Sequence, residues 1–335
     1  MKFIVRMPNW IGDLVMATPV LIDLRNAFPN ASITAMCRRP ICDLLEKEEA
    51  IDELFCFEKM SGFIRREDRD IIGKLRTGQY DVGILLTNSF SSAWWFWQGN
   101  VKRRIGFKGH FRSLLLTDRL DKPAKGMEHE VSTYKRLLRS LEIDRSNTAP
   151  RLVVTKEEVK IARELLHQQG YHEKKKLVGI NPGASYGSAK CWLPERFQTL
   201  AQKLVEEGAQ VVFFGDSSLE SLVKQICHGL PKQVINLAGM TNVRELLALI
   251  QECDVLVTND SGPMHMAAAL KTPLVALFGS TDDEATGPYG DEEAVINKRV
   301  SCSPCFKRTC PIDFRCMKEI SVEEVLQKVR GKLGV

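Results

Sequence analysis

The 335-residue chain lacks the features that direct a protein into or across a membrane. No uninterrupted apolar run reaches about 18 residues, so we expect no membrane-spanning helix. The N-terminal residues enter a predicted strand directly, without the apolar core of a signal peptide, so we expect no export signal. Together these absences predict a cytoplasmic protein.

Two common nucleotide-binding fingerprints are also missing. The sequence contains neither G-x-x-x-x-G-K-S/T nor G-x-G-x-x-G, so the usual support for a nucleotide hydrolase or a dehydrogenase is lost. A large excess of one sign of charge is missing as well, since 47 Lys and Arg are balanced by 42 Asp and Glu and the net charge is only +5. This excess fits an anionic substrate or a membrane surface and gives no argument for a nucleic-acid partner.

Cysteine is plentiful, with ten residues in two kinds of setting. In a chain without export signals we expect the scattered cysteines to be reduced thiols. These are Cys37, Cys42, Cys56, Cys191, Cys227 and Cys253. The others, Cys302, Cys305, Cys310 and Cys316, follow the spacing C-x2-C-x4-C-x5-C, which allows a structural zinc with four thiolate ligands. The gaps differ from the two separated C-x-x-C pairs of common zinc ribbons, so we favour reduced, unliganded thiols.

Short apolar segments alternate with helical patterns in both halves of the chain. This alternation predicts βαβ units around parallel sheets. A polar stretch at 147–151 and a charged run at 172–176 mark the change of domain, which we place between residues 165 and 166. The prediction is an α/β protein with two Rossmann-like, doubly wound domains, 1–165 and 166–335, that face a central cleft. Ligands of such sheets bind beyond the carboxyl ends of the strands.

The stretch Thr258–His265 has the pattern of an anion site. It lies between a short buried strand and the first turns of an apolar helix. Asp260 or Ser261 can cap that helix, and Gly262 lets a ligand approach the backbone. Free amides and the positive end of the helix dipole then face the ligand. His265 is a candidate hydrogen-bond donor to a phosphate of that ligand. The alternatives are an ordinary capped turn and a helix histidine satisfied within the protein.

A second candidate phosphate loop is Asn181–Lys190, which follows the first strand of the second half. It combines two glycines, two serines including Ser185, and Lys190 within ten residues. A plain surface loop is the alternative. Glu220 lies in the first turns of the helix that follows the predicted strand ending at Phe214. An acid at this position can accept hydrogen bonds from ribose hydroxyls. The alternative is a solvated helix carboxylate. The cysteine loop follows the last predicted strand, so we expect it to be structural and to lie away from these phosphate loops.

Three features of the first half have competing interpretations. Asp13 starts a helix after the first strand, where it can act as a general base or be an acid stabilised by the helix dipole. The aromatic group Trp94–Trp97 is a membrane wedge or, as we favour, core with one ring at the surface. The triplet Asp68-Arg69-Asp70 lies in a predicted charged helix from Ile64 to Arg76, and we interpret it as a solvated face.

Taken together, the motifs resemble the lipopolysaccharide heptosyltransferases of glycosyltransferase family 9, nearest to their heptosyltransferase II branch. The matching stretches occur in the family's order and cover nearly the whole chain. They are Met7 to Pro19 (MPNWIGDLVMATP), Leu86 to Ala93 (LTNSFSSA), Asn181 to Trp192 (NPGASYGSAKCW), Phe214-Gly215, Leu237-Ala238-Gly239, Thr258 to His265 (TNDSGPMH) and Cys302 to Cys316.

The resemblance implies a GT-B fold and an inverting transfer of L-glycero-D-manno-heptose from ADP-heptose to the lipopolysaccharide inner core. It implies an N-terminal acceptor domain, a C-terminal donor domain, and no cofactor or metal for catalysis. The partners would be ADP-heptose, a lipid A–inner-core acceptor and, by peripheral contact, the cytoplasmic face of the inner membrane. The alternatives are a related transferase with another nucleotide sugar or acceptor, and an inactive nucleotide-sugar-binding protein.

The resemblance also suggests residue roles. Asp13 would be the base and Lys190 would serve the leaving diphosphate. The donor candidates are Ser185, Lys190, Glu220, Met240, Asp260, Ser261, Gly262 and His265. The acceptor candidates are Asn88, Ser89, Arg103, Arg104, Lys108 and Arg112, because a basic surface suits an acceptor that carries phosphates and acidic sugars.

Overall fold

The chain folds into two compact units, Met1–Val153 and Val154–Val335, in a computed structural model that describes residues 1–58 and 66–335. The sequence placed this boundary after residue 165, but the helix at Lys156–Gln168 belongs to the second unit. The reason is its side-chain pairing: Glu158 binds Arg244 at 2.7 Å and Arg163 binds Glu252 at 2.5 Å, and both partners lie on one helix of the second unit.

The first unit alternates strands and helices. Its strands are β1 (Lys2–Arg6), β2 (Ser32–Arg38), β3 (Glu53–Phe57), β4 (Val82–Leu85), β5 (Arg103–Phe107) and β6 (Asp118–Leu120). Its α-helices are α1 (Ile11–Ala27), α2 (Arg66–Gly78), α3 (Phe90–Gln98) and α4 (Glu130–Lys135), with 3-10 turns at Ile41–Leu45, His110–Leu115 and Arg136–Leu141. The first two residues of the helix predicted from Ile64 lie outside the described residues.

The strands of the first unit form one parallel sheet in the order β3-β2-β1-β4-β5-β6. Val5 of β1 lies between Ala35 of β2 and Ile84 of β4. Strands β1 and β4 are apolar and almost wholly buried, as expected when helices cover both faces of a parallel sheet. The order reverses between β1 and β4, and this switch point opens a crevice at their carboxyl ends.

The second unit repeats the design. Its strands are β7 (Leu177–Asn181), β8 (Gln210–Phe213), β9 (Val234–Asn236), β10 (Val255–Asn259), β11 (Leu274–Phe278) and β12 (Val295–Asn297). Its α-helices are α5 (Lys156–Gln168), α6 (Pro194–Glu206), α7 (Glu220–Cys227), α8 (Val243–Glu252), α9 (Gly262–Leu270), α10 (Asp283–Thr286), α11 (Arg315–Lys318) and α12 (Val322–Leu333). Short 3-10 turns occur at Ser188–Lys190, Ser217–Leu219 and Glu292–Ala294.

The second sheet is also parallel, in the order β12-β11-β10-β7-β8-β9. Counted from its own first strand, this is the same doubly wound topology as in the first unit. Its switch point lies between β7 and β10, where Val257 pairs with Ile180. The predicted pair of Rossmann-like α/β folds is confirmed.

Helix α3 is mostly core, as we favoured. Trp95 and Phe96 are buried, whereas Trp97 is 46% exposed. The predicted solvated face on α2 is wrong for Asp68, which is buried and accepts a hydrogen bond of 2.6 Å from the indole Nε1 of Trp95. The aromatic helix supplies the buried donor that a carboxylate needs in the core.

The expectation of reduced thiols is wrong for one pair. Cys42 and Cys56 form a disulfide, with Cα atoms 6.1 Å apart. Cys42 lies on the 3-10 turn after β2 and Cys56 lies in the neighbouring strand β3. Parallel pairing of β2 and β3, with Cys37 opposite Cys56, brings these distant positions together.

Candidate active site

Asp13 lies at the switch point of the first unit. It occupies the first turn of α1, just after the loop that leaves β1. Its Oδ1 accepts a hydrogen bond of 3.2 Å from the hydroxyl of Tyr134 on α4. Sequence analysis missed Tyr134, because a helix 121 residues away carries no local signal that it packs on α1.

Tyr134 is built to remain a donor. It is buried, and this burial, followed by the negative charge of Asp13, raises the pKa of the Tyr134 hydroxyl well above its usual value. The hydroxyl therefore keeps its proton at neutral pH. Its hydrogen bond stabilises the ionised form of Asp13, which is the form that a general base requires.

Replacing Tyr134 with phenylalanine should move the acid limb of the kcat/KM pH profile to higher pH. Without the hydroxyl, protonation of Asp13 becomes easier. A hydrogen bond to a charged group is worth about 1.5 kcal/mol or more, so the shift should be on the order of one pH unit. Tyr80→Phe is the matched control, because that buried hydroxyl bonds Thr34 instead. Superimposable profiles for Tyr134→Phe and wild type would contradict the assignment.

Arg6 holds the loop between β1 and Asp13. Its guanidinium is buried, donates to Asn9 Oδ1 at 2.6 Å and lies 4.7 Å from the ring centroid of Phe57. Burial lowers the pKa of Arg6 to about 10, so it is still charged at neutral pH. In the sequence, nothing about Arg6, the last residue of the first strand, indicated this positioning role.

The structure brings two acceptor candidates together. Asn88 follows β4, and its Oδ1 accepts from Nη1 of Arg112 at 2.8 Å. Arg112 is buried, and its Nε and Nη2 have no hydrogen-bond partner among the described residues. This burial lowers the pKa of Arg112. Ser89 caps α3 by accepting from the amide of Ser92, so it is a structural as well as a candidate ligand-binding residue.

The other basic acceptor candidates have partners within the unit. Arg103 binds Asp118 at 2.6 Å, and Lys108 binds Asp121 at 2.9 Å. Arg104 donates from Nε to the carbonyl of Leu115 at 2.7 Å, and burial lowers its pKa. These residues hold the β5–β6 edge of the sheet together.

In the second unit, two asparagines join the loops at the switch point. Asn181, at the end of β7, donates from Nδ2 to Ser261 Oγ at 3.2 Å. Asn259, at the end of β10, donates to the carbonyl of Pro182 at 2.7 Å. The two predicted phosphate-binding segments are therefore one structure.

Lys190 and Asp260 form a buried ion pair across this junction. Nζ of Lys190 lies 2.5 Å from Oδ2 of Asp260, and both side chains are largely buried. The same oxygen accepts from Thr281 Oγ1 at 2.6 Å. Asp260 therefore orients the lysine, and part of the lysine's charge is already balanced.

The predicted cap of α9 is only half right. Ser261 occupies the N-cap position, but its side chain makes no capping hydrogen bond. Its Oγ is held by Asn181 and lies 3.0 Å from Thr258 Oγ1. The start of α9, at Gly262, therefore has no side-chain cap, which is compatible with the predicted anion site. His265 is buried in the same first turns.

Glu220 and Met240 are neighbours beyond β8 and β9. The Glu220 carboxylate packs on Gly239, where a Cβ would collide with it, and Gly239 has a positive φ of 74° that favours glycine. Met240 is 54% exposed beside it. An exposed methionine next to a carboxylate suits a nucleoside, with the acid on the ribose. Ser185 lies in an exposed turn of the first loop.

The cysteine loop does not lie away from this site, contrary to the sequence-based prediction. The amide of Ala189 donates to the carbonyl of Arg308 at 3.0 Å, and the hydroxyl of Tyr186 donates to the carbonyl of Phe306 at 2.8 Å. The segment between Cys305 and Cys310 therefore packs directly on the loop that carries Lys190.

The four thiols line one cavity of about 240 Å³. Among the described residues, three potential ligand atoms lie within 4.8 Å of one another at Cys42, Asp43 and Cys56, but the two cysteines of this set are joined in the disulfide. Burial, followed by the negative charge that Cys302 and Cys310 carry as thiolates, raises the pKa of Cys316. The metal content of the loop stays a prediction, and the spacing of its four cysteines still favours unliganded thiols.

We therefore expect protein purified without chelator to carry no stoichiometric zinc. Elemental analysis of the native chain checks this, with a four-thiolate zinc protein as the positive control. A value near one zinc per chain would contradict the expectation and would assign the metal to Cys302, Cys305, Cys310 and Cys316.

Comparisons with known proteins identify the family and the fold of this chain. The family model "Glycosyltransferase family 9 (heptosyltransferase)" matches residues 69–314. The chain therefore belongs to glycosyltransferase family 9 and is a glycosyltransferase with a GT-B fold. Within the described residues no helix is long and apolar enough to cross a membrane.

Individual relatives point to one branch of the family. The chain is 32% identical over 308 residues to lipopolysaccharide heptosyltransferase 2 of Escherichia coli K12, covering 88% of each protein. It superposes on the structure of E. coli ADP-heptose LPS heptosyltransferase II with a TM-score of 0.84 and 29% identity, over 99% of this chain and 98% of the other. It also matches a family 9 glycosyltransferase from Veillonella parvula, with a TM-score of 0.88, 25% identity and 99% and 97% coverage.

Proposed function

We propose that this protein is a heptosyltransferase II, which transfers L-glycero-D-manno-heptose from ADP-heptose to the inner core of lipopolysaccharide. The observation that carries the donor assignment is the junction at the second switch point. There Lys190, Asp260 and the uncapped start of α9 converge on one anion site. The named relatives, which include an ADP-heptose enzyme, support the choice of sugar.

The second unit binds the donor in this proposal. Met240 and Glu220 contact the adenosine, and Lys190, Ser261 and Gly262 contact the diphosphate. Positive charge and backbone amides stabilise the negative charge that gathers on departing ADP, so this step does not depend on a metal. Ser185 and His265 complete the donor contacts from the two loops.

The first unit activates the acceptor. Asp13 takes the proton of the acceptor hydroxyl as its oxygen attacks the anomeric carbon, with inversion, and the bond to ADP breaks. Before this step Tyr134 donates a hydrogen bond to the carboxylate of Asp13, which favours its ionised form. Asn88 and Arg112 form the polar pair that contacts the anionic core of the acceptor, with Ser89, Arg103, Arg104 and Lys108 around it.

The lipid part of the acceptor implies a contact with the cytoplasmic face of the inner membrane. An exposed apolar pair in the first unit supports this: Phe111 is 78% and Leu114 is 74% exposed. They are three residues apart on a 3-10 turn, so they share one face. Residues 101–125 hold eight Lys and Arg against two Asp, which suits an anionic lipid surface.

The double variant Phe111→Ser/Leu114→Ser should bind less to vesicles that contain anionic phospholipid, because it removes the inserted apolar area. Co-sedimentation measures this. Ile161→Ser/Val335→Ser, at exposed apolar positions of the second unit, is the control and should bind as wild type does. Equal binding by all three proteins would remove the apolar pair from the membrane contact.

Release of ADP tests the activity itself. It should require both ADP-heptose and a lipid A–core acceptor that lacks the added heptose. Competition with other nucleotide sugars separates the proposal from a related transferase of different specificity. Donor binding without any turnover would instead indicate an inactive nucleotide-sugar-binding protein.

A further inference from the structure

The segment Phe306–Arg308 of the cysteine loop lies against the phosphate loop of the donor unit. Besides the two hydrogen bonds from Ala189 and Tyr186, Gly187 makes this approach close. It has a φ of 153°, and a Cβ there would collide with the carbonyl oxygen of Arg308. The backbone of Arg308 is therefore fixed relative to Lys190, although its side chain is exposed.

One aromatic ring connects the two cations. Nζ of Lys190 lies 5.0 Å from the ring centroid of Tyr186, and Cζ of Arg308 lies 5.3 Å from the same centroid. The two charges are thus within about 10 Å of each other. Contacts of this kind hold a cation in place without consuming its hydrogen-bond donors.

The charges of the two cations are balanced differently. Lys190 is paired with Asp260 at 2.5 Å, so the pair together is close to neutral. Arg308 has no ion pair with a carboxylate in the described parts of the chain, and its contact there is the Tyr186 ring. Arg308 therefore remains available, as a cation beside the Tyr186 ring, to a multiply charged ligand.

We propose that Arg308 is a donor-substrate-binding residue, which binds the diphosphate of the nucleotide sugar together with Lys190. This inference rests on the proposed role of the loop as the donor's phosphate site. A guanidinium offers a planar fork of donors that matches phosphate oxygens in pairs. Charge-assisted hydrogen bonds of about 2.8 Å from both cations can reach one diphosphate, because the cations lie within about 10 Å of each other.

The proposal gives the cysteine loop a function. Its four thiols pack around one cavity next to Ala189, and this packing holds the segment that presents Arg308. Four cysteines around one cavity, with Cys316 buried and the others partly buried, can brace a short loop, because cysteine packs as a small apolar side chain. The loop would then be part of the donor site without a catalytic thiol.

Calorimetric titration with ADP and with adenosine tests the proposal. Arg308→Gln should weaken binding of ADP by about 10-fold or more, the scale of a hydrogen bond between charged groups, and leave adenosine unchanged. Arg308→Lys should lie between Arg308→Gln and wild type. Lys307→Gln is the matched control, because it removes the same charge one residue away, and it should bind both ligands as wild type does.

The outcomes separate this inference from the donor assignment on which it rests. If the wild-type protein binds ADP no better than adenosine, the phosphate site itself is misassigned. A second outcome is that the wild-type protein prefers ADP and that the Arg308→Gln variant, folded with an unchanged Tm, keeps the full preference. In that case the proposed role of Arg308 is wrong, but the donor assignment stands. Equal losses in Lys307→Gln and Arg308→Gln would also overturn it, since they would reflect only the net charge of the loop.

Discussion

Replacing Asp13 with asparagine should lower kcat by about 10²-fold or more, the usual scale of general-base catalysis. The amide has nearly the same shape and can still accept the hydrogen bond from Tyr134, so the fold should persist. What it loses is the ability to take a proton from the acceptor hydroxyl. Steady-state kinetics with saturating acceptor measure the loss, and calorimetry with ADP should show unchanged donor affinity.

Asp81→Asn is the control for this variant. Asp81 immediately precedes β4 and therefore lies at the opposite end of the strands of the same sheet from Asp13. It pairs with Lys102 at 2.7 Å. Its replacement should leave turnover near that of the wild type. If Asp13→Asn turned over as fast as Asp81→Asn, Asp13 would have no part in the mechanism, and the base would have to be sought elsewhere.

Replacing Lys190 with alanine should weaken ADP binding and lower kcat by about 10²-fold, comparable to removing one donor from an oxyanion site. Two effects add. The lysine's own charge is lost where the leaving group gathers negative charge, and Asp260, now without its 2.5 Å partner, repels the diphosphate. Calorimetry with ADP and steady-state kinetics measure the two losses.

The repulsion can be tested separately. In Lys190→Ala, the further change Asp260→Asn should restore part of the ADP affinity, because it removes the unpaired carboxylate. Lys203→Ala breaks an exposed ion pair with Glu323 in the same unit and should have no effect on ADP binding. Unchanged affinity and rate in Lys190→Ala would reassign the loop to a purely structural role.

Local pattern was enough to identify the fold and most of the candidate site. Buried strands such as β10 appear in the sequence as short apolar runs. Asp260 directly follows such a run, and Asp13 and Lys190 each follow the loop that comes after one. The carboxyl ends of parallel strands carry the ligand-binding loops, so strand positions alone place these residues near a site. The start of α12 also follows a local pattern, since Ser321 stands three residues before Glu324 and its Oγ accepts from the Glu324 amide at 3.2 Å.

Other features depend on which segments the fold brings together. Tyr134 reaches Asp13 across 121 positions, Trp95 supplies a buried partner to Asp68, and Arg308 meets the loop of Lys190. No local periodicity encodes these contacts, because the crossover connections of the two sheets set them. The sequence by itself therefore determined the strands, the helices and the chemical types at the strand ends. Only the tertiary structure decided which side chains contact those groups, since their hydrogen-bond and ion-pair partners are distant in the chain.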